Sequence, residues 1–405
     1  GLALKSSWKC TDPLFVGISS LTGQQLRGAS KAAKLIRSIN PNIPIVFGGW
    51  HASLLPNELI KEPYIDIVAK GQFEHRIVNL ANDIAHNEKS CPSVTWKQSG
   101  SGIIDTGAPT LPDRFYPINF NLIDLKKYSS YFRYLTSFGC YLDCSFCCLK
   151  VISKHKYVFR EIDQVVSDMK YVIDHSNPIC NINIDDDEFF FKKQRVMEFC
   201  EKWIASGYNK IPISLLVHVR AALTYSDDMY KTMAKAGVRS ILIGAESGSH
   251  IILDRLKKYQ TKDQILQFVE KITKFRIVPD LSTMTGFPDS DELGDLKETI
   301  LMLQEAVKIN PHTKFKLFFI RPYPGSELFE EFKSQGWKMP SSVKEWTDYT
   351  LRHAPAWTSR EVSDMTNFFM AKFLPSRGWV FTWDQFIEEF WKCREKDEIP
   401  IQRGM

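Results

Sequence analysis

The chain has 405 residues, of which 44% are hydrophobic and 24% charged. These ordinary values exclude a disordered, collagen-like or coiled-coil chain and allow two or three domains of about 150 residues each. The 52 basic and 47 acidic residues leave a net charge of +5, too mild over this length to argue for nucleic-acid binding.

The opening residues, Gly1-Leu2-Ala3-Leu4-Lys5, lack the basic-then-apolar order of a signal peptide. No Met opens the chain and a strand follows almost at once, so the sequence reads as starting inside a domain. Residues 13–19 form a buried strand, and residues 27–39 a helix with Ala29, Ala32, Ala33, Ile36 and Ile39 at helical spacing. Further strands cover 43–47, ending in Gly48-Gly49, and 65–69, ending near Gly71. This alternation predicts an α/β fold with a parallel, Rossmann-like sheet over residues 1–95. About three strands are visible where about five are usual, so the first two are expected to precede residue 1.

Residues 96–130, with Ser99-Gly100-Ser101-Gly102 and Gly107-Ala108-Pro109, read as a linker. Residues 131–330 then hold six strand-and-helix units, with strands at 134–139, 181–186, 212–218, 240–245, 279–285 and 314–321. Six units predict a partial (β/α)6 barrel, in which chemistry sits at the carboxyl ends of the strands. Residues 331–405 read as a mostly helical region. Trp337, Trp346, Trp357, Trp379, Trp383 and Trp391 crowd there, which predicts packing rather than disorder. Trp379, Trp383 and Trp391, with Phe381, Phe386 and Phe390, read as a core stripe on the barrel; the alternative is a lid over an apolar substrate. No uncharged apolar run of about 18 residues occurs, so no membrane span is expected.

Cys140, Cys144 and Cys147 carry the strongest signal, with spacing Cys-x3-Cys-x2-Cys. Three thiolates on a short loop can each ligate one iron of a [4Fe–4S] cluster, leaving the fourth iron open to a chelating ligand. A zinc knuckle would need a fourth ligand; Cys148 is poorly placed for this, while His155 could serve. Crowded cysteines in a chain this large favour metal binding in a reducing compartment, and hence a cytoplasmic location.

This loop, with Phe146 before the third cysteine, resembles the cluster motif of the radical S-adenosylmethionine (SAM) superfamily. The resemblance implies a [4Fe–4S] cluster that cleaves SAM to a 5′-deoxyadenosyl radical, with an external low-potential electron donor. It also assigns SAM contacts to the other strand ends. Asp186 and Asp187 match an Asp-Asp-x-Phe motif, Arg220 a polar contact position, and Gly244, Glu246 and Ser247 the Gly-x-Glu-Ser-Gly motif. Thr285-Gly286-Phe287-Pro288 and Arg321-Pro322-Tyr323-Pro324-Gly325-Ser326 match turns near the adenine and the substrate, although Asp289 stands where many relatives have glycine.

In the first domain, Ser19, Leu21, Gly48, Gly49 and Gly71 follow parallel strands, where small residues let a flat ligand approach the sheet edge. With Gly49-Trp50-His51-Ala52-Ser53-Leu54-Leu55-Pro56 they resemble the cobalamin-binding domain of B12-dependent radical SAM enzymes. The Asp-x-His-x-x-Gly loop that supplies a cobalt ligand in some cobalamin proteins is absent, so His51 is expected to be a structural contact. The resemblance, from about residue 13 to 330, implies a cobalamin-dependent methyltransferase with a small-molecule substrate. The alternatives are a radical cyclase or rearrangement enzyme, such as an anaerobic porphyrin-ester cyclase, and a non-catalytic cobalamin-binding module.

Overall fold

The computed structural model describes residues 13–98, 100, 102–127, 130–373 and 382–396. They fall into two units: one holds the residues up to Tyr116 with Phe146–Val158 and Pro322–Thr350, the other Pro117–Ser145, Phe159–Arg321 and the residues from Leu351 onward.

The first unit is built on a five-stranded sheet ordered β1-β2-β3-β4-β5. Strands β1 (Val16–Ser19), β2 (Ile45–Gly48) and β3 (Ile67–Ala69) run parallel, as expected. The helix Gln24–Ile39 buries Leu26, Ala29, Ala33 and Ile36, an i, i+3, i+4 stripe that packs with Ile45 and Phe47. Two further strands lie where a linker was expected. β4 (Val94–Lys97) and β5 (Ile103–Asp105) pair antiparallel and continue the sheet beyond β3. Between them, Gln98 N–H donates to Gly102 O at 2.8 Å. Strands of three and four residues are too short for an alternating pattern to stand out.

The helices Glu327–Ser334 and Val343–Thr347 also belong to this unit, where Phe329, Val343, Trp346 and Tyr349 share a core with Leu26, Ala29 and Ala33. The start of the expected carboxy-terminal region therefore packs with the first sheet. Gly23 N–H donates to Trp346 O at 3.1 Å, and Arg27 pairs with Asp348.

The second unit holds a six-stranded sheet ordered β13-β12-β11-β10-β9-β6, parallel throughout. Its strands are β6 (Ser130–Tyr134), β9 (Ile179–Ile184), β10 (Ile213–Val217), β11 (Val238–Glu246), β12 (Val278–Thr285) and β13 (Lys314–Phe319); β7 (Ser137–Phe138) and β8 (Val158–Phe159) are short and lie outside it. This open sheet is the expected partial barrel, with the helices Ile162–His175, Lys193–Ala205, Lys262–Thr273 and Glu292–Ile309 between its strands. Two of these helices start at a side-chain cap: before Lys262, Thr261 and Gln264 form a reciprocal capping box, and before Glu292 the Asp291 side chain accepts from Gly294 N. The first strand ends at Tyr134 rather than 139, because the amides of Thr136 and Ser137 turn to Asp186 instead of continuing the ladder.

Phe368 and Phe369 of the helix Arg360–Phe373, and Phe386 and Phe390 of the helix Trp383–Glu395, lie in the same core as Ile300, Leu303 and Leu317. The aromatic stripe is thus core at these positions. Trp391 departs from it at 41% exposure, and Trp379 and Phe381 lie outside the described residues. Among the described residues, no helix is long and apolar enough to cross a membrane.

Candidate active site

After β6 the chain enters the cysteine loop, which hydrogen bonds tie down on two sides. Both Asp186 oxygens are taken: Oδ1 accepts from Thr136 N (2.6 Å) and Ser137 N (3.0 Å), and Oδ2 from Thr136 Oγ1 (2.5 Å) and Ser137 Oγ (2.6 Å). Asp187 Oδ2 accepts from Gly139 N, next to Cys140, at 2.9 Å. Further on, Ser145 N donates to Leu256 O at 3.1 Å and Ser145 Oγ to Arg255 O at 2.8 Å.

Cys144 is buried, while Cys140 and Cys147 are half-buried. Burial pushes the Cys144 thiol up, Lys258 pulls it down and Glu246 adds to the burial effect. Leu149 N–H points at Cys147 Sγ from 3.5 Å. Among the described residues, no three His, Cys, Asp or Glu side chains are grouped to hold one metal ion.

The run Asp185–Glu188 separates by direction. Asp185 faces outward to Arg133. Asp186 accepts four hydrogen bonds from Thr136 and Ser137 and so anchors the backbone that leads into the cysteines. Asp187 is the member of the pair with a single backbone donor, and burial pushes it up to about 6 against the opposing Gly139 amide. Glu188, which sequence reasoning passed over, is buried and pushed up to about 7, chiefly by burial. It accepts from Phe190 N at 2.8 Å and His218 N at 2.6 Å, tying the end of β9 to that of β10. Its signal was hidden, because a fourth acidic residue in a row reads as solvated charge.

Glu246, at the end of β11, is 7% exposed and has a left-handed backbone, φ 63°. The register with β12 slips between Gly244 and Glu246, a bulge that re-aims the side chain. Glu246 Oε1 lies 3.1 Å from Nζ of buried Lys258. Gly244 makes room for this pair: a Cβ there would stand 2.7 Å from Glu246 Oε1 and 3.0 Å from Lys258 Nζ. The ion pair accounts for a glycine at this position. Ser247 Oγ lies 3.1 Å from Thr299 Oγ1 and accepts from Ser249 N at 3.1 Å. Arg220 is exposed on the one-turn helix Val219–Leu223.

At the end of β12, Gly286 O accepts from Trp357 Nε1 at 3.1 Å. Asp289 adopts φ 58°, so the backbone shape expected of glycine persists; Asp tolerates it better than most residues. Arg321 donates to His353 O at 2.9 Å.

In the first unit, Ser19 and Leu21 are exposed after β1, and Gly48 and Gly49 are half-buried after β2. Gly49 has φ 90°, and a Cβ there would meet Ser19 Oγ and Ser20 O at 2.7 Å; β1 and β2 approach as closely as backbone allows. Ser20 Oγ is buried without a partner, a polar atom suited to a ligand at this edge. Gly71 is different: a Cβ there would lie 2.5 Å from Thr110 O, so its close neighbour is the chain itself.

His51 is a structural contact, as expected, with Nδ1 3.0 Å from Thr22 Oγ1 and its ring edge-on to Trp346. Burial lowers it to about 4 from 6.5. The unfolded chain therefore binds a proton below pH 6.5 that the folded chain refuses, and stability is lost as pH falls from 6.5 towards 4. Denaturant titrations at pH 7 and pH 4 are expected to show about 3 kcal/mol more acid destabilisation for the wild type than for His51→Asn.

Residues 8–81 match the B12 binding domain model and residues 134–303 the Radical SAM superfamily model. An uncharacterized methyltransferase of Pyrococcus horikoshii is 25% identical over 328 residues, covering 79% of this chain and 69% of the relative. An anaerobic magnesium-protoporphyrin IX monomethyl ester cyclase of Cereibacter sphaeroides is 25% identical over 329 residues, covering 76% and 51%. The chain thus spans between half and about two thirds of these relatives. Among solved structures, the radical SAM methyltransferase TsrM of Kitasatospora setae, with cobalamin and a [4Fe–4S] cluster bound, superposes with a TM-score of 0.66 at 17% identity, covering 84% of this chain and 68% of that one.

Proposed function

We propose that this chain, which carries a B12 binding domain and a radical SAM domain, is a cobalamin-dependent methyltransferase acting on a small molecule. The cysteine loop carries this reading: its thiols are spaced for one iron each and its backbone is anchored by protein groups on either side of Cys140 and Cys144. The donors suit the groups they would hold. Cys140, Cys144 and Cys147 would ligate the cluster, and Asp187, Arg220 and Glu246 would meet SAM. Ser19, Leu21, Gly48 and Gly49, with the unpaired Ser20 hydroxyl, would line the cobalamin edge. When bound, the cluster and SAM supply a 5′-deoxyadenosyl radical and cobalamin supplies the methyl group.

The chain's own part is to hold these groups and to keep charge where it is needed. The electron comes from an external low-potential donor, which suits a reducing compartment such as the cytoplasm. The mild net charge favours a small substrate over a nucleic acid. A radical cyclase is the second reading, supported by the likeness to the magnesium-protoporphyrin ester cyclase.

The test is product analysis after anaerobic reconstitution with iron, sulfide and cobalamin, followed by SAM and a low-potential reductant. The methyltransferase is expected to release both 5′-deoxyadenosine and S-adenosylhomocysteine, the latter only when cobalamin is present. Deoxyadenosine alone moves the assignment to the cyclase. Neither product, from protein with a verified cluster, overturns both.

A further inference from the structure

We propose that Lys258 is a positioning residue of the radical-generating centre, a buried cation that holds Glu246 and sets the charge beside the iron that Cys144 would ligate. This inference rests on the assignment of the cysteine loop to a [4Fe–4S] cluster.

Lys258 is 5% exposed. A lysine that deep is costly unless paired, and replacing such a pair by apolar residues often leaves a fold as stable or more so. A role in stability alone therefore accounts poorly for it. The surroundings are shaped to keep it. Glu246 at φ 63°, Lys257 at φ 53° and Tyr259 at φ 50° are all left-handed without being glycine, so Glu246 and both neighbours of Lys258 sit on strained backbone. Such strain gathers where a side chain must be aimed. Gly244 has no side chain because the pair fills the space above it. Gln260 Nε2 donates to Gly244 O at 2.8 Å, closing the loop onto β11. His218 Nε2 lies 3.0 Å from Lys258 O, and burial lowers this histidine to about 3, so it holds the loop without adding charge.

The link to the cysteines is direct. Ser145, the residue after Cys144, bonds to the carbonyls of Arg255 and Leu256, so the cysteine loop is seated on the segment that carries Lys258. Lys258 stands two residues beyond Leu256 and pairs with Glu246 at 3.1 Å, so the cation sits on the segment that seats the Cys144 turn.

A fixed cation beside the cluster stabilises the electron added on reduction. Lys258→Met withdraws that charge and leaves Glu246 uncompensated; both changes favour the oxidised cluster. Glu246→Gln removes the carboxylate and keeps the cation, with the opposite effect. The experiment is an anaerobic redox titration of the reconstituted full chain, following the reduced cluster by electron paramagnetic resonance, with iron and sulfide content measured in parallel. At a fixed potential, Lys258→Met is expected to lower the reduced-to-oxidised ratio about tenfold, equivalent to about 59 mV for one electron. Glu246→Gln is expected to raise the ratio, the double variant to return towards wild type, and Lys258→Arg to stay close to it. Unchanged ratios in Lys258→Met and Glu246→Gln, with clusters intact, overturn the proposal. If Lys258→Met holds no cluster, Glu246→Gln decides alone, and a ratio that does not rise overturns it. A wild-type chain that assembles no [4Fe–4S] cluster fails at the earlier step, the assignment of the cysteines.

Discussion

Cys144→Ala is expected to bring 5′-deoxyadenosine formation from SAM down to background while leaving the fold in place. The cluster needs a thiolate on each of three irons, and no neighbouring side chain can replace this one: Cys148 follows Cys147 directly and opens the helix Leu149–Ser153 as its cap residue. Losing one buried sulfur costs stability only modestly, about 1–2 kcal/mol on the scale of a small core truncation, so the melting transition survives. The measurement pairs anaerobic product quantification with iron and sulfide content and a thermal melt. Cys148→Ala is the control, expected to retain SAM cleavage. Deoxyadenosine formation that persists in Cys144→Ala would sink the cluster assignment.

Asp186→Ala is expected to act differently, through the backbone. Its four hydrogen bonds take two main-chain amides and two hydroxyls, all buried. A buried donor left unpaired costs about 1–3 kcal/mol, and a charged acceptor makes the loss greater. Together they predict a loss of about 4 kcal/mol in chemical denaturation and poor cluster incorporation. The earlier expectation, that Asp186 touches SAM, makes the opposite forecast: an unchanged denaturation midpoint and a raised KM for SAM. The two outcomes are separated by one denaturant titration.

Much of this arrangement was legible before the structure. The Cys-x3-Cys-x2-Cys spacing is local and chemically specific, and the six strand-and-helix units set the strand ends that surround it. What the sequence could not show was direction. Asp186 and Asp187 are adjacent acids, but side chains alternate along extended backbone, and only the fold shows that one is spent on Thr136 and Ser137. The hydroxyl of Ser247 turns to Thr299, a direction the motif alone does not give.

Lys258 lay beyond reach in another way. It stands next to Lys257 between two helices, where lysine is ordinarily solvated, and its partner is twelve residues earlier across a bulge. The β4–β5 hairpin was hidden by its brevity and by glycines that read equally well as a flexible connection. His51 and the packed phenylalanines of the last two helices followed the simpler rule that apolar periodicity marks a core.

The anchoring of the cysteine loop bears on how the protein would withstand air. Iron–sulfur centres are readily destroyed by oxygen, and a chain whose ligand loop is shaped only by its inorganic core must find that shape again before repair. Here the segment from Thr136 to Ser145 is held by Asp186, Asp187 and the carbonyls of Arg255 and Leu256, none of which depends on iron. Oxidative loss of the core would leave this part of the mould standing, so remetallation would proceed on a folded template, with little ordering entropy left to overcome.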